Sequence, residues 1–308
     1  MIIFHLKEKM CFSLSCACFF VSLHTGMDYT INVNGQLLDL SRPTVMGILN
    51  ATPDSFFAGS RVQTQAEIVN RAQQILAEGG AIIDIGAYST RPGAMLVDEL
   101  EEMARLRFAL TVVRCEFPDA VLSIDTFRPA VARMAVDEYG ASIINDVSGG
   151  NCQGVFGGEH EEDRCSDKEM FTTVARLGVP YILMSSAPTI REMLLDFAEK
   201  VQQLRDLGQK DIILDPGFGF GKTVVQNHAI LEELDKLCVM QLPLLVGVSR
   251  KSMIWKVLGT SPEESLNGTT VMNTIALMKG ASVLRVHDVR EAVEAVKLVT
   301  TNKQNYCV

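Results

Sequence analysis

Eight short apolar, β-branched runs punctuate the chain, each followed by a polar residue or a glycine. They are Val45–Leu49, Ala81–Ile85, Ala120–Ile124, Ala141–Ile144, Pro180–Met184, Asp211–Leu214, Pro243–Val248 and Ala281–Val286. Continuous apolar runs of this length suit parallel strands buried on both faces. Between them, apolar residues recur at helical spacing. Ile68, Ala72, Ile75, Leu76 and Ala77 stop at Gly79-Gly80, and Leu194, Phe197, Val201 and Leu204 stop at Gly208, as helices ended by glycine do. Further helical patterns span roughly 98–116, 128–139, 168–178, 226–240, 269–279 and 288–300. A strand–helix unit about thirty residues long, repeated in one even series, predicts a single (β/α)8 TIM barrel. A doubly wound sheet is the alternative. A polar–apolar segment from Met27 to Gly35 predicts a short N-terminal β-hairpin leading into the barrel.

Residues 1–26 do not share this pattern. Cys11 to Leu23 is an apolar, serine-dotted run behind Lys7 and Lys9, which imitates a secretory leader. Glu8 interrupts the basic residues, no small-residue cleavage site follows, and the run falls short of the ~20 apolar residues of a spanning helix. We read 1–26 as an over-extended prefix and 27–308 as the barrel, with a signal peptide as the alternative.

Composition narrows the partners. The chain has 308 residues and a net charge of −9, or −10 once Lys7, Glu8 and Lys9 are set aside. There is no basic run, so nucleic acid and anionic membrane are not expected as partners. The five cysteines beyond the prefix, at 115, 152, 165, 238 and 307, have no metal-ligand spacing, and reduced thiols in a cytoplasmic protein are expected.

In such barrels chemistry gathers where the strands end. Here those positions carry Asn50, Asp84, Asp125, Asn145-Asp146, Ser185, Asp215, Arg250-Lys251, and Arg285 with His287. Any one Asp could be a helix cap; so many polar ends together point to a converging site. Asp125, Asn145 and Asp215 offer acceptors to a heterocycle rich in N–H groups. Arg91, Lys251 and Arg285, with His287 beside them, offer donors to a carboxylate or phosphate. Asp84 either organises the following loop or touches substrate. For Lys222 the bland alternative is a solvated loop charge, with Phe218 and Phe220 packing a lid. Gly217–Thr223 imitates a phosphate loop, but Pro216 stands where the first glycine must be.

The strand-end segments together resemble dihydropteroate synthases, over about residues 45–300. The carrying segments are Leu49-Asn-Ala-Thr-Pro-Asp-Ser-Phe56, Ser89-Thr-Arg-Pro-Gly93, Ser123-Ile-Asp-Thr126 and Ile144-Asn-Asp-Val-Ser-Gly149. With them come Asp215-Pro-Gly-Phe-Gly-Phe-Gly-Lys222, Ser249-Arg-Lys-Ser252 and Arg285-Val-His-Asp288. The resemblance implies a transferase of folate biosynthesis. It would join p-aminobenzoate to 6-hydroxymethyl-7,8-dihydropterin pyrophosphate, giving 7,8-dihydropteroate and pyrophosphate. It implies that Asp125, Asn145, Asp215 and Lys251 hold the pterin, with Met184 as a wall. Asn50 would position Mg²⁺, and Asn50, Arg285 and His287 would grip the pyrophosphate. Thr90, Arg91, Pro92, Phe57 and Ser252 would bound the p-aminobenzoate pocket, and a homodimer is implied.

Asp125, Lys251 and Arg285 are the expected catalytic residues. A carboxylate ~4 Å from the positive charge developing on the pterin's exocyclic carbon would stabilise it by about 4 kcal/mol at an effective dielectric of 20. That is roughly three decades in rate.

The chain departs from the family in three places. Leu183-Met184-Ser185 replaces Leu-Met-His, an insert runs from Asn151 to Asp167, and Gly86-Ala-Tyr88 follows the second run. A methyltransferase acting on methyltetrahydrofolate and a pterin-binding protein without catalysis are the competing readings.

Overall fold

The computed structural model describes residues 29–51, 61–88, 97–151 and 169–305. The prefix 1–26 and most of the 151–167 insert lie outside them. A hairpin opens the fold, with β1 at Thr30–Val33 and β2 at Gln36–Asp39. Its turn is Asn34-Gly35, both with positive φ, the residue pair that a two-residue hairpin turn demands.

The barrel strands follow as β3 Thr44–Asn50, β4 Ile82–Gly86, β5 Val121–Asp125, β6 Ile143–Asp146 and β7 Tyr181–Met184. The series ends with β8 Ile212–Asp215, β9 Leu245–Val246 and β10 Val283–Val286. All pair in parallel, in the order β8-β7-β6-β5-β4-β3-β10-β9. A bridge between Leu214 and Leu244 returns the sheet on itself. The (β/α)8 barrel expected from the sequence is therefore the observed fold. β3, β4, β5, β6 and β8 run one or two residues past their apolar runs, β7 and β10 end with theirs, and β9 is much shorter than its six-residue run.

The outer helices are α1 Arg61–Ala77, α2 Glu99–Glu116, α3 Pro129–Tyr139, α4 Glu169–Leu177 and α5 Ile190–Asp206. After them come α6 Val224–Glu232, α7 Ser252–Leu258, α8 Leu266–Met278 and α9 Val289–Asn305. The helix expected over 226–240 is in fact two: α6 ends at Glu232, and a 3-10 helix covers Leu234–Met240. Thr223 and Gln226 start α6 with a reciprocal capping box. No helix among the described residues is long and apolar enough to cross a membrane.

The pleat explains where the polar residues go. Met46, Ile82, Ile143, Ile182, Ile213, Leu245 and Val283 form one interior cluster with Ile31, Val33 and Leu40 of the hairpin segment, and Val121 packs against it. The hairpin thus plugs the N-terminal end of the barrel with apolar side chains. Two residues further along each strand the side chains face inward again. That next layer is Ile48, Asp84, Ser123, Asn145, Met184, Asp215, Gly247 and Arg285. An apolar floor is therefore capped by a largely polar layer, and Asn50 and Asp125 stand one step higher at the rim.

Candidate functional site

The polar layer is wired around Asp84, which is fully buried. Its carboxylate accepts from Ser123 Oγ at 2.6 Å, Asn145 Nδ2 at 3.2 Å and Arg285 Nε at 2.6 Å. Arg285 turns a second nitrogen to Asp125 Oδ2, 2.5 Å away. Asp84 thus spends both carboxylate oxygens within the layer, where it aims Arg285 and Asn145 from below. Asn145 Oδ1 is buried and finds no hydrogen-bond partner. Such an orphaned acceptor is costly, so a donor-bearing ligand has a ready place.

Asp125 stands opposite Gly86 in the ladder. A Cβ at Gly86 would lie 3.3 Å from the Asp125 Cβ, so the glycine leaves room for the carboxylate. Behind Asp125, Thr126 Oγ1 donates to Glu102 at 2.7 Å, and Arg128 pairs with the same buried carboxylate while donating to the Val97 carbonyl at 2.9 Å. This link between α2 and the end of β5 fixes the residue that follows Asp125.

Across the mouth, Asp215 accepts from the Gly217 N–H at 2.8 Å. Lys251 donates to the Phe218 carbonyl and lies 4.7 Å from the Phe220 ring centroid. Gly219, at φ +82°, passes so close that a Cβ would sit 3.0 Å from the Lys251 stem. Arg250, just before Lys251, holds a left-handed φ of +56°. Its N–H donates to Thr269 and its guanidinium grips Asp288 at 2.6 and 3.0 Å. Those bonds offset the strain that turns Lys251 inward.

Burial dominates the electrostatics. It pushes the Asp125 carboxyl up to about 7 although Arg285 pulls it down, with Asp84 raising it further. Burial also raises Asp215, against the pull of Lys251. It lowers Lys251 to about 8, opposed by Asp215. Burial and then Arg285 lower His287 to about 4, so its imidazole is neutral at pH 7. Burial works against the Arg285 cation too, yet Asp84 and Asp125 hold its pKa above the ordinary value. The full unit charge expected of Asp125 is thus offset: the carboxylate shares its charge with Arg285 and titrates near neutrality.

His287 Nδ1 lies 3.0 Å from Ser249 Oγ. With Asn50, Arg71 and Arg250 it lines a cleft of about 680 Å³ outside the strand ends of β3 and β10. Among the described residues no group of three His, Cys, Asp or Glu side chains could cage a metal.

A family model described as pterin binding enzyme matches residues 46–287. The chain belongs to the pterin-binding enzyme family. It is similar to the dihydropteroate synthase of Escherichia coli strain K12, 37% identical over 280 residues, spanning 86% of this chain and 93% of that protein. It is also similar to the Yersinia pestis dihydropteroate synthase solved in a sulfonamide drug complex, 35% identical with a TM-score of 0.76 over 90% of this chain and 100% of that one. The Xanthomonas albilineans dihydropteroate synthase solved with 4-aminobenzoic acid is 33% identical, with a TM-score of 0.76 over 90% of this chain and 98% of that one.

In this member of the pterin-binding enzyme family, Asp125, Asn145, Met184, Asp215, Lys251 and Arg285 converge on one mouth, and Asn50 and His287 stand at its β3–β10 side. Ser252 begins α7 beside Lys251. Phe57, Thr90, Arg91 and Pro92 lie outside the described residues. Lys222 is not a solvated charge: its ammonium donates to the carbonyls of Ser185 and Gly217 at 3.0 Å and of Phe220 at 3.4 Å. Phe218 is fully buried in the main core. Ser185, the family departure, is buried and donates to Asp196 at 2.5 Å, and Lys200 pairs with Asp196 at 2.9 Å. Ser185 is thereby tied into an internal network with Asp196 and Lys200.

Proposed function

We propose that the chain condenses 6-hydroxymethyl-7,8-dihydropterin pyrophosphate with p-aminobenzoate, releasing pyrophosphate and 7,8-dihydropteroate. The observation that carries this reading is the divided mouth. Acceptors Asn145 and Asp215 face the cations Lys251 and Arg285 across one polar layer, over an apolar floor, in a chain of this family. The pterin's amino and amide N–H groups donate to Asp215 and to the orphaned Asn145 oxygen, while Lys251 donates to a ring acceptor. Asp125, ionised and held by Arg285, stabilises the charge that develops on the exocyclic carbon as the C–O bond to pyrophosphate breaks. Arg285 and His287 donate to the leaving oxygens. The arylamine attacks the same carbon and then releases a proton to water, so no strong base is required.

Mg²⁺ fits as an ion that travels with the pyrophosphate, since it prefers phosphate oxygens and water to an all-protein cage. Asn50, exposed at the rim, would supply a protein oxygen to it; when bound, the ion would neutralise charge on the leaving group. Thr90, Arg91, Pro92, Phe57 and Ser252 are proposed to bound the p-aminobenzoate pocket. We further place the protein in the cytoplasm, where thiols such as those of Cys115 and Cys238 stay reduced. It is proposed to be a homodimer paired through α8 and α9, where Val271, Met278 and Leu298 are exposed; light scattering tests this.

Incubating protein, Mg²⁺ and both substrates should yield dihydropteroate by chromatography. Pterin binding without product would favour a binding protein and refute the enzyme reading.

A further inference from the structure

Arg71 lies on α1, in a position that looks like a helix surface. Its guanidinium instead reaches over the strand ends. Nε donates to the Ile48 carbonyl at 3.0 Å, and Nη2 to the His287 carbonyl at 2.6 Å. The third nitrogen, Nη1, is braced by Gln74 at 3.0 Å. The β3–β10 ladder ends at the pair Gly47 and Val286. Arg71 takes over one residue later and ties the two strands together where the cleft opens. The reach depends on close packing: a Cβ on Gly47 would fall 2.6 Å from Ile75, and one on Gly80 would fall 2.7 Å from it. Two glycines therefore let α1 sit low enough on β3 for Arg71 to cross.

We infer that Arg71 is a positioning residue for the pyrophosphate side of the site, setting the spacing of Asn50 and His287. Ile48 is two residues before Asn50 on the same strand face. His287 is held on its other side by Ser249, which meets both the His287 N–H and Nδ1. With the arginine fork in place, both groups are fixed relative to each other before an anion arrives, which lowers the ordering cost of binding. Lysine cannot span two carbonyls with the same planar fork. Among the described residues, the brace's hydrogen bonds go to Ile48, Gln74 and His287 and not to Ser252 of the proposed p-aminobenzoate pocket.

The inference rests on the proposed reaction, so the test separates the two. Wild type, Arg71→Gln and Arg71→Lys are assayed as full chains for both KM values, and inorganic pyrophosphate binding is measured by calorimetry. Arg71→Gln should weaken pyrophosphate about tenfold and raise KM for the pterin pyrophosphate similarly, leaving KM for p-aminobenzoate unchanged. Arg71→Lys should weaken pyrophosphate about threefold, the smaller loss expected when one of two arms is kept. If the glutamine variant does not fold, the lysine variant decides. Unchanged pyrophosphate affinity in a folded variant, or equal loss for both substrates, overturns the role of Arg71. A wild type that binds pyrophosphate but makes no dihydropteroate refutes the reaction and leaves the calorimetric test standing.

Discussion

Replacing Asp84 with alanine attacks the hub of the polar layer. The side chain is fully buried, pairs with Arg285 Nε at 2.6 Å, and accepts from Ser123 and Asn145. Breaking a buried ion pair costs about 3–5 kcal/mol because the remaining charge is uncompensated. Arg285 keeps Asp125 as a second partner, so the lower end, about 3 kcal/mol, applies. Leaving Ser123 and Asn145 unsatisfied adds roughly 1 kcal/mol each. The total of about 5 kcal/mol, divided by a urea m-value near 3 kcal/mol/M, moves the unfolding midpoint down by roughly 1.7 M. Asp84→Asn keeps the shape and an acceptor oxygen and should lose about half as much. Both variants release Arg285 from its aim, so kcat/KM for the pterin pyrophosphate should fall at least tenfold. Urea unfolding with turnover on the same samples provides the check. An alanine variant within about 1 kcal/mol of wild type, with kcat/KM unchanged, would refute the hub.

Two further outcomes follow from the site's electrostatics. Activity needs Asp125 ionised and Lys251 protonated, so kcat/KM for the pterin pyrophosphate should rise through about 7 and fall through about 8; a flat profile from pH 6 to 9 contradicts this. Asp125 also holds a proton in the folded state at pH values where an ordinary carboxyl, near 3.9, has lost it. Folding stability therefore declines as pH rises between about 4 and 7. Asp125→Asn removes that slope, so its thermal stability relative to wild type should improve from pH 5 to pH 8 while turnover collapses; near-full turnover would remove the central step of the mechanism.

Much of the fold was legible because β-branched runs at even spacing leave few alternatives to a closed parallel barrel. The site was legible wherever a polar residue directly follows an apolar run, as Asp125, Asn145 and Asp215 do. Asp84 resisted assignment because a linear string does not say which strand residues face inward; only the floor layer of Met46, Ile82 and Val283 fixes that phase. The partners of Lys222 and Ser185 are hidden for a related reason. Each looks like loop chemistry, yet each spends its polar atoms on backbone or on Asp196 inside the fold. The reach of Arg71 across the strand ends carried no signal, since it ends on two backbone carbonyls, one of them 216 residues away, and carbonyls have no sequence signature. The break between α6 and the 3-10 helix was equally hidden, because the apolar spacing continues across it.

The proposed reaction turns on one carbon, where pyrophosphate leaves as the arylamine arrives. The most direct measurement is the ratio of the two products over time, with Mg²⁺ and both substrates present. Pyrophosphate and dihydropteroate should appear one to one, each depending on p-aminobenzoate. Pyrophosphate released without p-aminobenzoate, or pterin bound with neither product formed, would contradict that reaction.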